Sequence, residues 1–151
     1  MALISADQLI EQNPQAFEKF RHPAIHGIEP HVDPALNGLV EEKLSSLDLS
    51  KGVILDGYPA SKEQGDFLTN FRQEHHLPKA LIIHLRLPDD VARKRLKQEN
   101  PEDVEQRIED YHRELDFARI YFPQADIHDV DATKSPEVVA REIRKVVQNK
   151  R

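Results

Sequence analysis

The stretch Gly52-Val53-Ile54-Leu55-Asp56-Gly57-Tyr58-Pro59-Ala60-Ser61-Lys62-Glu63-Gln64 constrains this chain more than any other. Three consecutive apolar residues suit a strand buried among helices, and Asp56 ends the run. Gly57 and Pro59 punctuate a turn. Ser61 with Gln64 three residues later forms a Ser-x-x-Gln capping box, which opens a helix burying Phe67, Leu68 and Phe71. A strand, a tight turn and a helix follow one another here. Asp56 then stands at the carboxyl end of the strand, the edge where open α/β sheets bind ligands.

Prolines mark the other helix starts. Asn13-Pro14, Asp33-Pro34, Asn100-Pro101 and Ser135-Pro136 each set a capping residue before a proline. The residue before proline avoids the α region, as an N-cap does, and proline lacks only an amide hydrogen that the first turn leaves unused. After Asp33-Pro34, Leu36, Leu39, Val40, Leu44 and Leu47 recur at helical spacing, and after Asn100-Pro101, Val104, Ile108, Tyr111, Leu115 and Ala118 do the same. The last helix runs from Pro136 through Val139, Ile143 and Val146. Strands are read at Leu3 to Ser5, Val53 to Asp56, Ala80 to Leu87 and Ile127 to Asp131. Apolar runs alternating with helices predict an α/β fold, a three-layer parallel sheet with helices on both faces. Phe17 to Val32, with Pro23, Pro30, Gly27 and three histidines, is the least regular part.

Composition narrows the function classes. A length of 151 residues, with 38% hydrophobic and 32% charged residues, fits one globular domain over 1–151. Zero cysteines exclude disulfides, thiolate zinc sites and cysteine nucleophiles. No apolar run approaches the ~20 residues that span a bilayer and no basic-then-apolar leader opens the chain, so a cytoplasmic location is expected. A net charge of −6 argues against nucleic acid as partner, because phosphate-backbone binding needs a clustered basic surface. Arg141, Arg144, Lys145, Lys150 and Arg151 read instead as complements to a helix C-terminus. His22, His26 and His31, and the neighbours His75 and His76, lack the spacing and carboxylate partner of a metal site, and no metal ligand is assigned. Tyr58, Tyr111, Tyr121 and the phenylalanines read as core aromatics.

The Asp56-Gly57-Tyr58-Pro59 turn, with the strand before it and Gln64 after it, resembles the adenylate kinase family of nucleoside monophosphate kinases. Pro88-Asp89-Asp90-Val91-Ala92-Arg93-Lys94-Arg95-Leu96 resembles the helix leading into that family's lid, and Arg107-Ile108-Glu109-Asp110-Tyr111-His112 the helix leaving it. Val130-Asp131-Ala132-Thr133-Lys134-Ser135-Pro136-Glu137-Val138-Val139 is similar to the C-terminal Asp-Gly-Thr-x-x-Pro-Glu-x-Val segment. The resemblance extends from about Leu3 to Val147. It implies a P-loop kinase fold, magnesium and ATP as cofactors where the activity is retained, and an AMP- or ATP-like nucleotide as partner. It also implies a monophosphate-binding helical region over 17–46 and a vestigial lid over 97–100.

The resemblance assigns roles residue by residue. Asp56 would hold a metal-bound water, or else cap its own turn beside Gly57. Gln64 would read the base of a monophosphate, or else serve only the capping box. Arg95 and Arg107 match the lid-flanking phosphate arginines, and alternatively are surface ion-pair partners. Thr133 and Lys134 lie where the family contacts adenine, mainly through backbone.

Departures from the family are equally specific. Nowhere in the 151 residues is there a Gly-x-x-x-x-Gly-Lys-Ser/Thr loop, and Met1 falls about where the family's second strand begins. Glu11 stands where the family has its monophosphate-gripping arginine, Ala60 replaces the arginine after Asp-Gly-Tyr-Pro, and Glu99 lies near a second lid arginine. Phosphoryl transfer depends on positive charge and amide hydrogens around the migrating group. The expectation is therefore an adenylate-kinase-like core, inactive in phosphoryl transfer as given and at most a weak nucleotide binder. The alternatives are an N-terminally truncated genuine nucleoside monophosphate kinase, or an interaction module without ligand. Without the family's central strand, Ile54 is expected to pair directly with the Leu81 to Ile83 region, self-association through an unpaired strand edge being second choice to a monomer.

Overall fold

A computed structural model describes residues 1–18, 33–99, 102–123 and 126–149. His22, His26, His31, most of the irregular stretch before Asp33, Asn100-Pro101, Lys150 and Arg151 lie outside those residues. The chain divides into two compact units, Met1–Leu77 and Pro78–Arg151.

In the first unit β1 (Ala2–Ser5) leads into α1 (Ala6–Gln12), α2 (Pro14–Phe17) and α3 (Asp33–Ser45). A 3-10 turn over Leu49–Lys51 precedes β2 (Val53–Asp56) and α4 (Lys62–Glu74). β1 and β2 are parallel, with Ala2, Leu3, Ile4 and Ser5 facing Val53, Ile54, Leu55 and Asp56. Side chains alternate across a strand, so the Ile4–Leu55 pair turns to one face and the Leu3–Ile54 pair to the other. The first face packs on Leu9, Leu36, Val40, Leu44, Leu68 and Phe71, while Leu3 and Ile54 remain 60% and 44% exposed. Val40 and Leu44 are the most enclosed side chains, as expected of the inner stripe of α3.

The second unit runs β3 (Ile82–Arg86), α5 (Asp89–Glu99), α6 (Val104–Tyr121), β4 (Ile127–Asp131) and α7 (Pro136–Gln148). β3 and β4 are parallel, and His84 faces Asp129 in the ladder. Arg93 on α5 donates through Nε and Nη2 to the two oxygens of Glu105 on α6, at 2.7 and 2.9 Å. This forked pair clamps the two helices together. Asp103, just before α6, sits in the left-handed region at φ 59°.

The parallel α/β organisation read from the sequence is what the described residues form. β3 is shorter than expected at its start: Ala80 and Leu81 have no register partner, because the ladder with β4 spans five residue pairs from Ile82 to Arg86. The expected pairing of Ile54 with Leu81 to Ile83 is not made. Ile54 pairs with Leu3, Ile82 and Ile83 pair with Ile127 and His128, and the described strands form two two-stranded sheets. Each strand thus meets a parallel partner at the far end of its own helical crossover, satisfying one edge within its unit.

Candidate functional site

At the carboxyl end of β2 the chain must reverse into α4. Gly57 makes this possible at φ +68°, in the left-handed region that side chains with a Cβ avoid. The Tyr58–Pro59 bond is cis. Ser61 caps α4, its hydroxyl accepting from the Gln64 amide N–H at 3.2 Å. The capping box is thus real, with one change: the Gln64 side-chain Oε1 accepts from the Ala60 N–H at 2.7 Å.

The other end of that side chain makes a contact invisible in the sequence pattern. Gln64 Nε2 donates to Asp33 Oδ1 at 2.7 Å, and the Ser61 hydroxyl donates to Asp33 Oδ2 at 2.6 Å. Asp33 is the first residue of α3 and is 4% exposed, while Gln64 is 5% exposed. Beside them the buried Tyr58 hydroxyl donates to Asn37 Oδ1 at 2.6 Å. Burial first, and the Asp33 charge second, push the Tyr58 phenol well above its ordinary value. The neighbouring Asp33 carboxyl raises the Glu63 pKa, by a shared-proton interaction first and by its charge second. Asp33, Asn37, Tyr58, Ser61 and Gln64 therefore form one polar clasp joining the first turns of α3 and α4, with the exposed Glu63 beside it.

Asp56 ends β2 as an exposed residue opposite Ser5, and its carboxylate makes no hydrogen bond to the turn among the described residues. Glu11 is exposed near the end of α1, and Ala60 contributes the backbone N–H already spent on Gln64.

In the second unit Arg95 on α5 and Arg107 on α6 are exposed, and neither makes an ion pair among the described residues. Thr133 and Lys134 occupy the turn between β4 and α7. Asp131 accepts from the Thr133 N–H at 3.0 Å and its hydroxyl at 2.6 Å, and these bonds hold the carboxyl below its ordinary range. Lys134 Nζ lies 2.9 Å from Glu142 and 3.9 Å from Asp131. Arg86, Leu87, Pro88, Asp131 and Thr133 line a shallow hollow of about 400 Å³ at the carboxyl ends of β3 and β4.

Two polar constellations escaped the sequence reading. Asp33 read only as a helix cap, because its partners lie 28 and 31 positions away. The second is a line through the sheet of the second unit. Asp129 Oδ1 lies 2.7 Å from His84 Nδ1, and His84 Nε2 lies 2.5 Å from the Tyr111 hydroxyl. Period-two placement of His84 on an inward-facing position of β3 was the available signal.

Comparison with known proteins follows the same residues. A family model described as an AAA domain matches residues 5–112, which include Asp56, Gln64, Arg95 and Arg107. An adenylate kinase of Tropheryma whipplei is 30% identical over 124 residues, covering 76% of this chain and 67% of the relative. One from Mesorhizobium japonicum is 26% identical over 131 residues, covering 76% and 66%. One from Mycolicibacterium vanbaalenii is 31% identical over 113 residues, covering 72% and 62%. The chain spans about two thirds of the length of these curated relatives. With its parallel α/β units, its strand–Asp56–turn–Gln64 segment and this degree of identity, the chain belongs to the adenylate kinase family of P-loop kinase-like proteins.

Proposed function

We propose that this chain is an adenylate-kinase-like core that binds nucleotides weakly and does not transfer phosphate as the 151-residue polypeptide. The observation that carries the reading is the lack, anywhere in these residues, of a Gly-rich phosphate loop. A loose phosphoryl-transfer transition state is stabilised by amide hydrogens and cations around the migrating group. Here the matching positions carry Glu11 and Ala60, and a carboxylate at a phosphate clamp repels where attraction is required. Magnesium and ATP are the cofactors the family implies. The described residues offer the lone Asp56 carboxylate for the metal, hold no group of three His, Cys, Asp or Glu side chains placed to share an ion, and present no amide cradle for the phosphates.

What remains is the base side of a nucleoside monophosphate site on β2–α4, with Gly57 shaping the turn and Gln64 behind it. Arg95, Arg107, Thr133 and Lys134 carry the second unit's share of the reading. No helix among the described residues is long and apolar enough to cross a membrane. A coupled assay with magnesium-ATP and AMP tests the proposal. Turnover at background level is expected, and the roughly 1 to 100 per second of ordinary kinases would overturn it.

The share of each relative that the chain matches supports a second reading, in which these residues are a stretch of a longer nucleoside monophosphate kinase. An in-frame upstream Gly-x-x-Gly-x-Gly-Lys segment, whose fusion to this chain gives turnover, would establish it over the first.

A further inference from the structure

Both polar atoms of the Gln64 side chain already hold a partner in the free protein. Its Oε1 accepts from the Ala60 N–H at 2.7 Å and its Nε2 donates to Asp33 Oδ1 at 2.7 Å. A carboxamide recognises a base edge through one acceptor and one donor, and here Oε1 and Nε2 each already hold one partner within the first unit, which leaves one lone pair and one N–H on a side chain that is 5% exposed. A capping box needs only the bond back toward the start of α4. The bond to Asp33 goes beyond that need and spans two helices.

Asp33 is suited to hold what it has. It is 4% exposed, and the Ser61 hydroxyl at 2.6 Å and the Gln64 amide at 2.7 Å each donate to a different oxygen. A buried carboxylate gives up a charge-assisted donor only at a substantial cost. A ligand that takes the N–H facing Asp33 must therefore displace Asp33, and the released carboxylate must find another donor.

We propose that Asp33 is an internal occupant of the Gln64 amide, an autoinhibitory contact that keeps the base-reading side chain closed in the free protein. The class of ligand excluded is a nucleoside monophosphate whose base presents a ring-nitrogen acceptor beside an exocyclic amine, as adenine does. The inference rests on the reading of β2–α4 as the base side of such a site. It makes Asp33 a specificity-determining residue and gives a physical reason for weak binding that is independent of the missing phosphate contacts.

The test compares the full chain with its Asp33→Ser variant, whose side chain is too short to reach Gln64. AMP is titrated by calorimetry, and the side-chain amide resonances of Gln64, assigned by Gln64→Ala, are followed by NMR without nucleotide. In the original chain these resonances should be shifted and slowly exchanging, and Asp33→Ser should abolish both features. AMP should bind Asp33→Ser about ten-fold more tightly, the loss of one charge-assisted bond, and Asp33→Ser/Gln64→Ala should lose that gain. Asp33→Asn, isosteric with a weaker acceptor, should give a smaller gain in the same direction, which keeps the proposal testable should Asp33→Ser not fold. Unchanged Gln64 resonances would overturn the contact itself. Released resonances with equal AMP affinity would overturn the autoinhibition and leave weak nucleotide binding standing. AMP binding indifferent to Gln64→Ala in every background would overturn the underlying reading as well.

Discussion

His84 Nε2 and the Tyr111 hydroxyl lie 2.5 Å apart, with the two rings stacked at a centroid distance of 5.9 Å, so that β3 is tied to α6 by a polar contact between a buried histidine and a half-buried tyrosine. The far side of the imidazole faces Asp129, which fixes the ring in place. Tyr111→Phe removes a single oxygen and leaves His84 Nε2 without its partner. Chemical denaturation should report a loss of about 1 to 3 kcal/mol, the desolvation cost of an orphaned buried polar atom. Adding His84→Leu removes the orphan and should recover part of the loss. A double variant that is worse than the sum of the two single ones would contradict the role given to this contact.

Asp129 makes the same line sensitive to acid. The hydrogen bond from His84 holds its carboxyl below the ordinary 3.8, with the charges of His84, Arg119 and Arg86 acting in the same direction. A depressed acid stabilises the fold above its unfolded-state pKa, and that stability is lost as pH falls through the lower folded-state value. The melting temperature of the original chain should therefore exceed that of Asp129→Asn by a constant margin above about pH 5, and the margin should shrink below about pH 4. A margin that widens on acidification would reverse the assigned sign.

Glu63 is expected to behave in the opposite way. The neighbouring Asp33 carboxyl holds the Glu63 pKa above the ordinary 4.5, by a shared-proton interaction first and by its charge second, nearby Asp66 adding to the rise while Lys62 opposes it. A raised acid stabilises below its unfolded-state pKa, and the contribution disappears as pH rises through the folded-state value. Glu63→Gln keeps a donor for Asp33 but cannot ionise. Its melting temperature relative to the original chain should rise as pH climbs from about 4 through the raised folded-state value and then level off. A flat difference across that range would remove the interaction of Glu63 with Asp33.

Legibility in the sequence followed the range of each interaction. β2 was readable to the residue because Gly52 and Gly57 bound a continuous Val-Ile-Leu-Asp run, and α4 because Ser61 and Gln64 lie within one turn of each other. α7 began at Pro136 as its Ser-Pro pair predicts. β3 was overextended because Ala80 and Leu81 are as apolar as the ladder that follows, and only β4's length decides where pairing starts. The clasp was half legible: the Ser61–Gln64 part is local, whereas Asp33 joins it through the packing of α3 against α4. His84, Asp129 and Tyr111 meet only when two parallel strands and a helix take up register, and no local pattern encodes that meeting. Gln64 shows the consequence for function, since the same residue reads as a base contact by resemblance and is bonded internally in the fold.

The two faces of the β1–β2 sheet should respond oppositely to substitution. On the covered side Leu44 is 2% exposed and belongs to the core formed by α1, α3 and α4, so Leu44→Ala leaves a cavity as well as lost contacts. The expected cost is about 2 to 5 kcal/mol, a large part of the roughly 5 to 15 kcal/mol that stabilises an ordinary domain. On the other side Leu3 and Ile54 are register partners at 60% and 44% exposure, and they surrender little buried surface when shortened. Leu3→Ser/Ile54→Thr should change unfolding free energy by less than about 1 kcal/mol, the usual scale for two surface positions. Denaturant titration of Leu44→Ala and of the double variant settles the contrast. A loss of several kcal/mol in the double variant, accompanied by a change in apparent mass on light scattering, would show that this face is covered in solution by another copy of the chain.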